Sequence, residues 1–152
     1  MQEVLLAARL DLPPGESIAH AVVAHCFTCS KDLFPAARIS GALAERGIAV
    51  LRFDFTGLGS SEGEFANTNF SSNVDDIVAA TRFLRERYRA SKLLVGHSLG
   101  GAAVLAAAAR VPEAVAVATV TTPALVPTKR SKCSLNGPGG TACASAARTP
   151  IW

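Results

Sequence analysis

The stretch of this sequence best equipped for chemistry is a serine set between two glycines, Gly96-His97-Ser98-Leu99-Gly100. The apolar run Leu93-Leu94-Val95 enters it and an alanine-rich segment leaves it near Leu99, the layout of a nucleophile elbow. At the tip of so sharp a turn the serine is held in strained backbone geometry, while glycines two before and two after it leave room for neighbouring chain. Its hydroxyl is then projected away from the sheet, which makes Ser98 the candidate nucleophile. Leu99 follows at a helix N-terminus, where a backbone N–H without an intrahelical partner can stabilise an oxyanion. The plainer reading is a strand-to-helix turn with a solvated serine. The buried strand before it and the helix after it favour the elbow.

A second oxyanion donor belongs on the loop between an earlier strand and the first helix. His25-Cys26-Phe27-Thr28 lies there, and the Phe27 N–H is the candidate. The competing reading is a loop whose bulky residue packs into the core, and the two are compatible. Cys26-Phe27-Thr28-Cys29 also spells Cys-x-x-Cys between a strand and a helix, the setting of a thiol redox pair. That alternative leaves the serine elbow without a task. A zinc site would have to recruit Cys133 and Cys143 from a tail without pattern, and it ranks lower. No cofactor is implied, because Asp54 with Gly57-Leu58-Gly59 has neither the Gly-Lys-Ser/Thr nor the Gly-x-Gly-x-x-Gly of a phosphate-binding loop. Asp54 reads instead as a buried structural carboxylate bonded to loop amides. His20, inside a strand, reads as a satisfied core residue. His97 neighbours the nucleophile, but adjacent side chains on an elbow point apart.

The elements that must position these residues alternate. Leu5 to Leu12 and Ile18 to Phe27 read as neighbouring strands joined by Pro13-Pro14-Gly15-Glu16, the second apolar enough to be central. Pro35 to Arg46 has helical spacing, and Ile48 to Phe55 is the next strand. Ser71 or Ser72 caps a helix with Asp75 and Asp76 in its first turns, arginines at its end and a buried stripe of Ile77, Val78, Thr81, Leu84 and Tyr88. Lys92 to Val95, Leu99 to Val111 and Val115 to Val120 complete the order as strand, helix and strand. This alternation predicts an α/β fold, a mostly parallel sheet with helices on both faces and its active edge at the carboxyl ends of the strands.

With 152 residues, 49% of them apolar, one core is expected and two full domains are not. Residues 1–125 form that unit, and residues 126–152, rich in Gly, Pro, Ser and Ala, read as a disordered tail. The net charge of +3 resides in the tail, since up to Leu125 the chain holds 11 Lys/Arg against 12 Asp/Glu. A nearly neutral folded part argues against a nucleic-acid partner. No apolar run is long enough for a membrane span, and the opening residues lack the basic region of a secretory signal, so a cytoplasmic address is expected. Cysteines at 26, 29, 133 and 143 do not make a disulfide framework in a chain of this class.

Taken together, the elbow, the His25-Cys26-Phe27-Thr28 loop and the Asp54-Phe55-Thr56-Gly57-Leu58-Gly59-Ser60-Ser61 turn resemble the α/β-hydrolase superfamily over about residues 1–125. More narrowly, the chain looks like the bacterial serine-aminopeptidase-like hydrolases often fused to an OsmC-type domain. The resemblance implies a serine hydrolase acting on an ester, thioester or amide of a small-molecule acyl substrate. It implies Ser98 as nucleophile and the backbone N–H groups of Phe27 and Leu99 as the oxyanion hole. The superfamily triad runs Ser, acid, His along the chain. Here only one acid, Glu113, and no histidine come after Ser98. Glu113 lies between a helix and the following strand, at the wrong end of the sheet for the acid. The expectation is an incomplete α/β-hydrolase fold, truncated or frameshifted after about residue 125 and inactive alone. A non-catalytic binding module on the same fold is the alternative, and an exposed sheet edge predicts self-association.

Overall fold

The computed structural model describes residues 4–120 and the backbone of Ala142–Ala144. In chain order the elements are β1 (Ala8–Asp11), β2 (Ala19–Ala24), α1 (Phe34–Ala44), β3 (Ile48–Phe53), a short 3-10 turn (Phe65–Asn67), α2 (Phe70–Arg87), β4 (Leu93–His97), α3 (Leu99–Ala108), β5 (Ala116–Val120) and β6 (Ala142–Ala144). They form one sheet in the order β1-β3-β2-β4-β5-β6, parallel throughout except for β1.

Alternation along the central strands sends side chains to two cores. Val22, Ala24, Leu51, Phe53 and Leu94 face one side, where Val74, Ile77 and Leu84 of α2 and Ala103, Val104 and Ala107 of α3 cover them. Ala21, Val23, Val50 and Val95 face the other, under Ala36 of α1. The sheet thus carries helices on both faces, and β2 is buried on all but its first residue, as its apolar run predicts.

Four expectations need correction. β1 and β2 are not neighbours: β1 pairs antiparallel with β3, Leu10 opposite Leu51, so β3 lies between them. The cap of α2 is Asn69 rather than Ser71 or Ser72. The Asn69 side chain accepts the Ser72 N–H at 3.0 Å and the Ser72 hydroxyl accepts the Asn69 N–H at 2.9 Å, a reciprocal capping box. Asp75 and Asp76 consequently fall beyond the first turn, where no acid stands. Tyr88 is 52% exposed and lies outside the buried stripe of α2. Most of the tail expected over 126–152 lies outside the described residues; within it, Ala142–Ala144 run parallel to β5. Among the described residues no helix is long and apolar enough to cross a membrane.

Candidate active site

β2 and β4 are adjacent and parallel with Ala24 opposite Gly96, so the segments leaving the two strands emerge at one carboxyl edge. Phe27 stands three residues past Ala24 and Ser98 two past Gly96. Ser98 adopts φ 54°, ψ −111° between the end of β4 and the start of α3. For a residue with a side chain such a conformation costs about 1–3 kcal/mol and persists only where the surroundings enforce it. They do so here: the Ser98 N–H donates to the Val120 carbonyl of β5 at 3.0 Å, and the Ser98 carbonyl accepts the Ala102 N–H at 3.1 Å. The flanking glycines are steric necessities. A Cβ at Gly96 would fall on the Gly100 carbonyl, and one at Gly100 on the carbonyls of Ala24 and His25. The Gly100 N–H donates to the His25 carbonyl at 3.1 Å, which fastens the first turn of α3 to the end of β2.

Ser98 is exposed at this edge. Leu99 opens α3, so its N–H has no intrahelical acceptor. Among the described residues the Phe27 N–H likewise meets no hydrogen-bond acceptor. The Phe27 ring does not pack into the core, contrary to the competing expectation for this loop. It is 54% exposed and rests edge-on against Phe65, with ring centroids 5.2 Å apart. Thr28 beside it takes φ 58°.

Below the loop lies a buried polar cluster. Asp54 is fully buried and accepts the backbone N–H of Lys31 and of Ser60, together with the Lys31 ammonium at 3.0 Å. Burial alone pushes this carboxyl up, but the donated N–H bonds of Ser60 and Lys31 and the Lys31 charge outweigh it and hold the group below its ordinary range. The structural role read for Asp54 is therefore the observed one, and Gly59 is part of it, since a Cβ there would strike the carboxylate. His25 donates Nδ1–H to the Cys26 carbonyl at 2.7 Å and accepts the Phe55 N–H on Nε2 at 3.3 Å, an arrangement open only to the neutral ring. Burial, the leading cause, lowers its pKa, against the raising effects of the Cys26 bond and of Asp54. With both nitrogens engaged, His25 cannot take a proton from Ser98.

Sequence reasoning missed two members of this cluster, Lys31 and Arg52. The Arg52 guanidinium grips Asp11 of β1 at 2.6 and 3.1 Å and donates to the Lys31 carbonyl. A charge inside the apolar run Ile48 to Phe55 was the available signal, because a buried guanidinium requires a partner. His20 corrects an expectation in the other direction: it is buried, yet among the described residues its Nδ1 has no partner. Glu113 pairs with Arg85 at 2.7 Å before the amino end of β5, across the sheet from Ser98. Cys26 and Cys29 are joined as a disulfide, a local clasp with Cα atoms 5.2 Å apart. Among the described residues no group of three or more His, Cys, Asp or Glu is placed to hold a metal ion. The zinc alternative involving Cys133 and Cys143 rests on side chains outside the described residues.

A mostly parallel sheet between helical layers, with a strained serine at a strand-to-helix elbow, defines the α/β-hydrolase class. The profile of the family described as serine aminopeptidase, S33, matches residues 18–146, and the chain belongs to that family. Among solved structures it is similar to Est1E from Butyrivibrio proteoclasticus, determined with ferulic acid bound. That match has 28% identity and a TM-score of 0.70, covering 75% of this chain and 47% of that one. It is also similar to the esterase domain of a Rhodothermus marinus protein, at 48% identity and a TM-score of 0.59, covering 78% of this chain and 50% of that one. A third is XC6422 from Xanthomonas campestris, an α/β serine hydrolase without a lid, at 29% identity and a TM-score of 0.67, covering 75% and 54%. The chain thus spans about half the length of these structures. No curated protein sequence matches it.

Proposed function

We propose that this chain carries the nucleophile and oxyanion half of a cytoplasmic serine hydrolase acting on a small-molecule acyl substrate. The observation that carries the proposal is the backbone of Ser98, φ 54°, ψ −111°, at the tip between β4 and α3. A strained residue of this kind, exposed and fixed by bonds to β5 and α3, is a functional device rather than a packing solution. In the reaction Ser98 Oγ attacks the acyl carbon, and the oxygen that gains charge is received by the N–H groups of Leu99 and Phe27. The alcohol, thiol or amine departs and an acyl-Ser98 ester remains for water to cleave. The esterase domain among the similar structures favours an ester over an amide.

The general base is the part this chain does not supply. Its three histidines are His20, within β2, His25, with both nitrogens engaged, and His97, next to the nucleophile on β4. A serine without its base retains only what binding and the oxyanion hole provide, roughly 10³–10⁴-fold over water. Slow acylation without useful turnover is the expected behaviour. The same lack of a base favours a second reading, a binding module with a relict elbow. Incubation with a fluorophosphonate, followed by intact mass, separates the two. A single slow adduct that disappears in Ser98→Ala supports the hydrolase, and no adduct on folded protein supports the module.

A further inference from the structure

The oxyanion loop contains a reactive feature that the serine chemistry does not use. Cys26 and Cys29, joined as a disulfide, bracket Phe27, whose N–H is the second candidate oxyanion donor. Both cysteines are partly exposed, within reach of a small thiol. The turn between them is otherwise lightly held. The Cys29 N–H donates to the Cys26 carbonyl at 3.2 Å, and the Phe27 ring leans on Phe65. Thr28 sits at φ 58°, a region a β-branched residue leaves unless something enforces it. Before Cys26, by contrast, the backbone is fixed: its carbonyl takes the His25 Nδ1–H and the His25 carbonyl takes the Gly100 N–H. The clasp is thus the covalent constraint on residues 27–30, between the fixed end of β2 and Lys31, whose N–H and carbonyl are held by Asp54 and Arg52.

We propose that Cys26–Cys29 is a reversible redox site that sets the oxyanion loop, an inference that rests on the hydrolase reading of Ser98. The disulfide holds Thr28 at positive φ and the Phe27 N–H at the edge beside Ser98. The dithiol lets Thr28 return to negative φ and carries the Phe27 amide off station. The exchange partner is a thiol–disulfide couple. A dithiol attacks one sulfur through its thiolate, releases the other as a cysteine thiol and passes through a mixed disulfide. Its second thiol then displaces the remaining cysteine. Two electrons and two protons move to Cys26 and Cys29, and the reductant leaves as its own disulfide. In a reducing compartment a bridge of this kind is transient and redox-sensing rather than structural.

The test uses the full chain equilibrated with reduced dithiothreitol or with its oxidised cyclic form. Alkylation is read on tryptic peptide 10–31, which contains Cys26 and Cys29 and neither Cys133 nor Cys143. We expect two alkyl groups on that peptide after reduction and none after oxidation. We expect fluorophosphonate labelling of Ser98 to slow by about a hundredfold or more on reduction, as for loss of an oxyanion donor. Cys29→Ser should sit at the reduced rate under both conditions. Equal labelling rates in the two states, or a peptide that will not re-oxidise, overturn the proposal. Amide hydrogen exchange over residues 26–31 distinguishes its failure from that of the hydrolase reading. If neither state labels at Ser98, the hydrolase reading fails, while about tenfold faster exchange in the dithiol form still upholds redox control of the loop. Unchanged exchange removes that as well.

Discussion

Ser98 occupies a backbone region that suits glycine far better than serine, and the consequence can be measured at that one position. Ser98→Gly should raise the unfolding free energy by about 1 kcal/mol in denaturant titration, although it deletes the hydroxyl. A decrease would mean that the elbow is unstrained. His25 gives a second single-residue expectation. Its pKa is lowered, by burial first, so the folded state binds fewer protons than the unfolded chain just below the ordinary histidine value of about 6.5. The stabilisation of the neutral ring is complete above that value and is lost as pH falls through it toward the lower folded pKa. His20, lowered by burial and by Arg89, adds with the same sign. Asp76, whose carboxyl burial raises despite its bonds from Thr56, acts oppositely at lower pH. The midpoint of thermal unfolding should therefore drop between about pH 7.5 and 5.5, and a flat profile would contradict the neutral, doubly bonded His25. Ser98 was legible in the sequence because its spacing to two glycines is local. The partners of His25, Lys31 and Arg52 were not, because each bond joins segments about 20 to 40 residues apart.

The elbow depends on how closely α3 approaches β2. Gly100→Ala would place a methyl group on the carbonyls of Ala24 and His25, which are backbone atoms and cannot rotate aside. A loss of about 2–3 kcal/mol is expected in denaturant titration, with labelling of Ser98 lost together with the 3.1 Å bond from Gly100 to His25. Wild-type stability in this variant would contradict the close packing. Element types were readable because a buried strand has a continuous apolar run and a helix a 3.6-residue stripe. Lateral order was not, since nothing local in the turn after Leu12 says that β3 will intervene between β1 and β2. The true cap of α2 is hidden for a related reason. Asn69 and Ser72 satisfy each other across one turn, whereas Ser71 or Ser72 taken singly also has the side chain of a cap.

Over the whole molecule, the edge strand β1 is short and carries Arg9 and Asp11, both features that discourage pairing with another chain. Exposed apolar side chains gather elsewhere, among them Phe27, Leu33 and Phe34 near the oxyanion loop, at 54%, 45% and 69% exposure. Sedimentation velocity over a hundredfold concentration range should show association that Phe34→Ser weakens if this apolar surface carries it; a monomer at every concentration would set aside both this contact and the self-association expected through an exposed sheet edge. Most directly, the nucleophile assignment rests on whether Ser98 can be acylated. Fluorophosphonate labelling of wild type beside Ser98→Ala, timed by intact mass, should give one slow adduct in the first and none in the second. An adduct that survives Ser98→Ala, or none on folded wild-type protein, would contradict a nucleophilic Ser98.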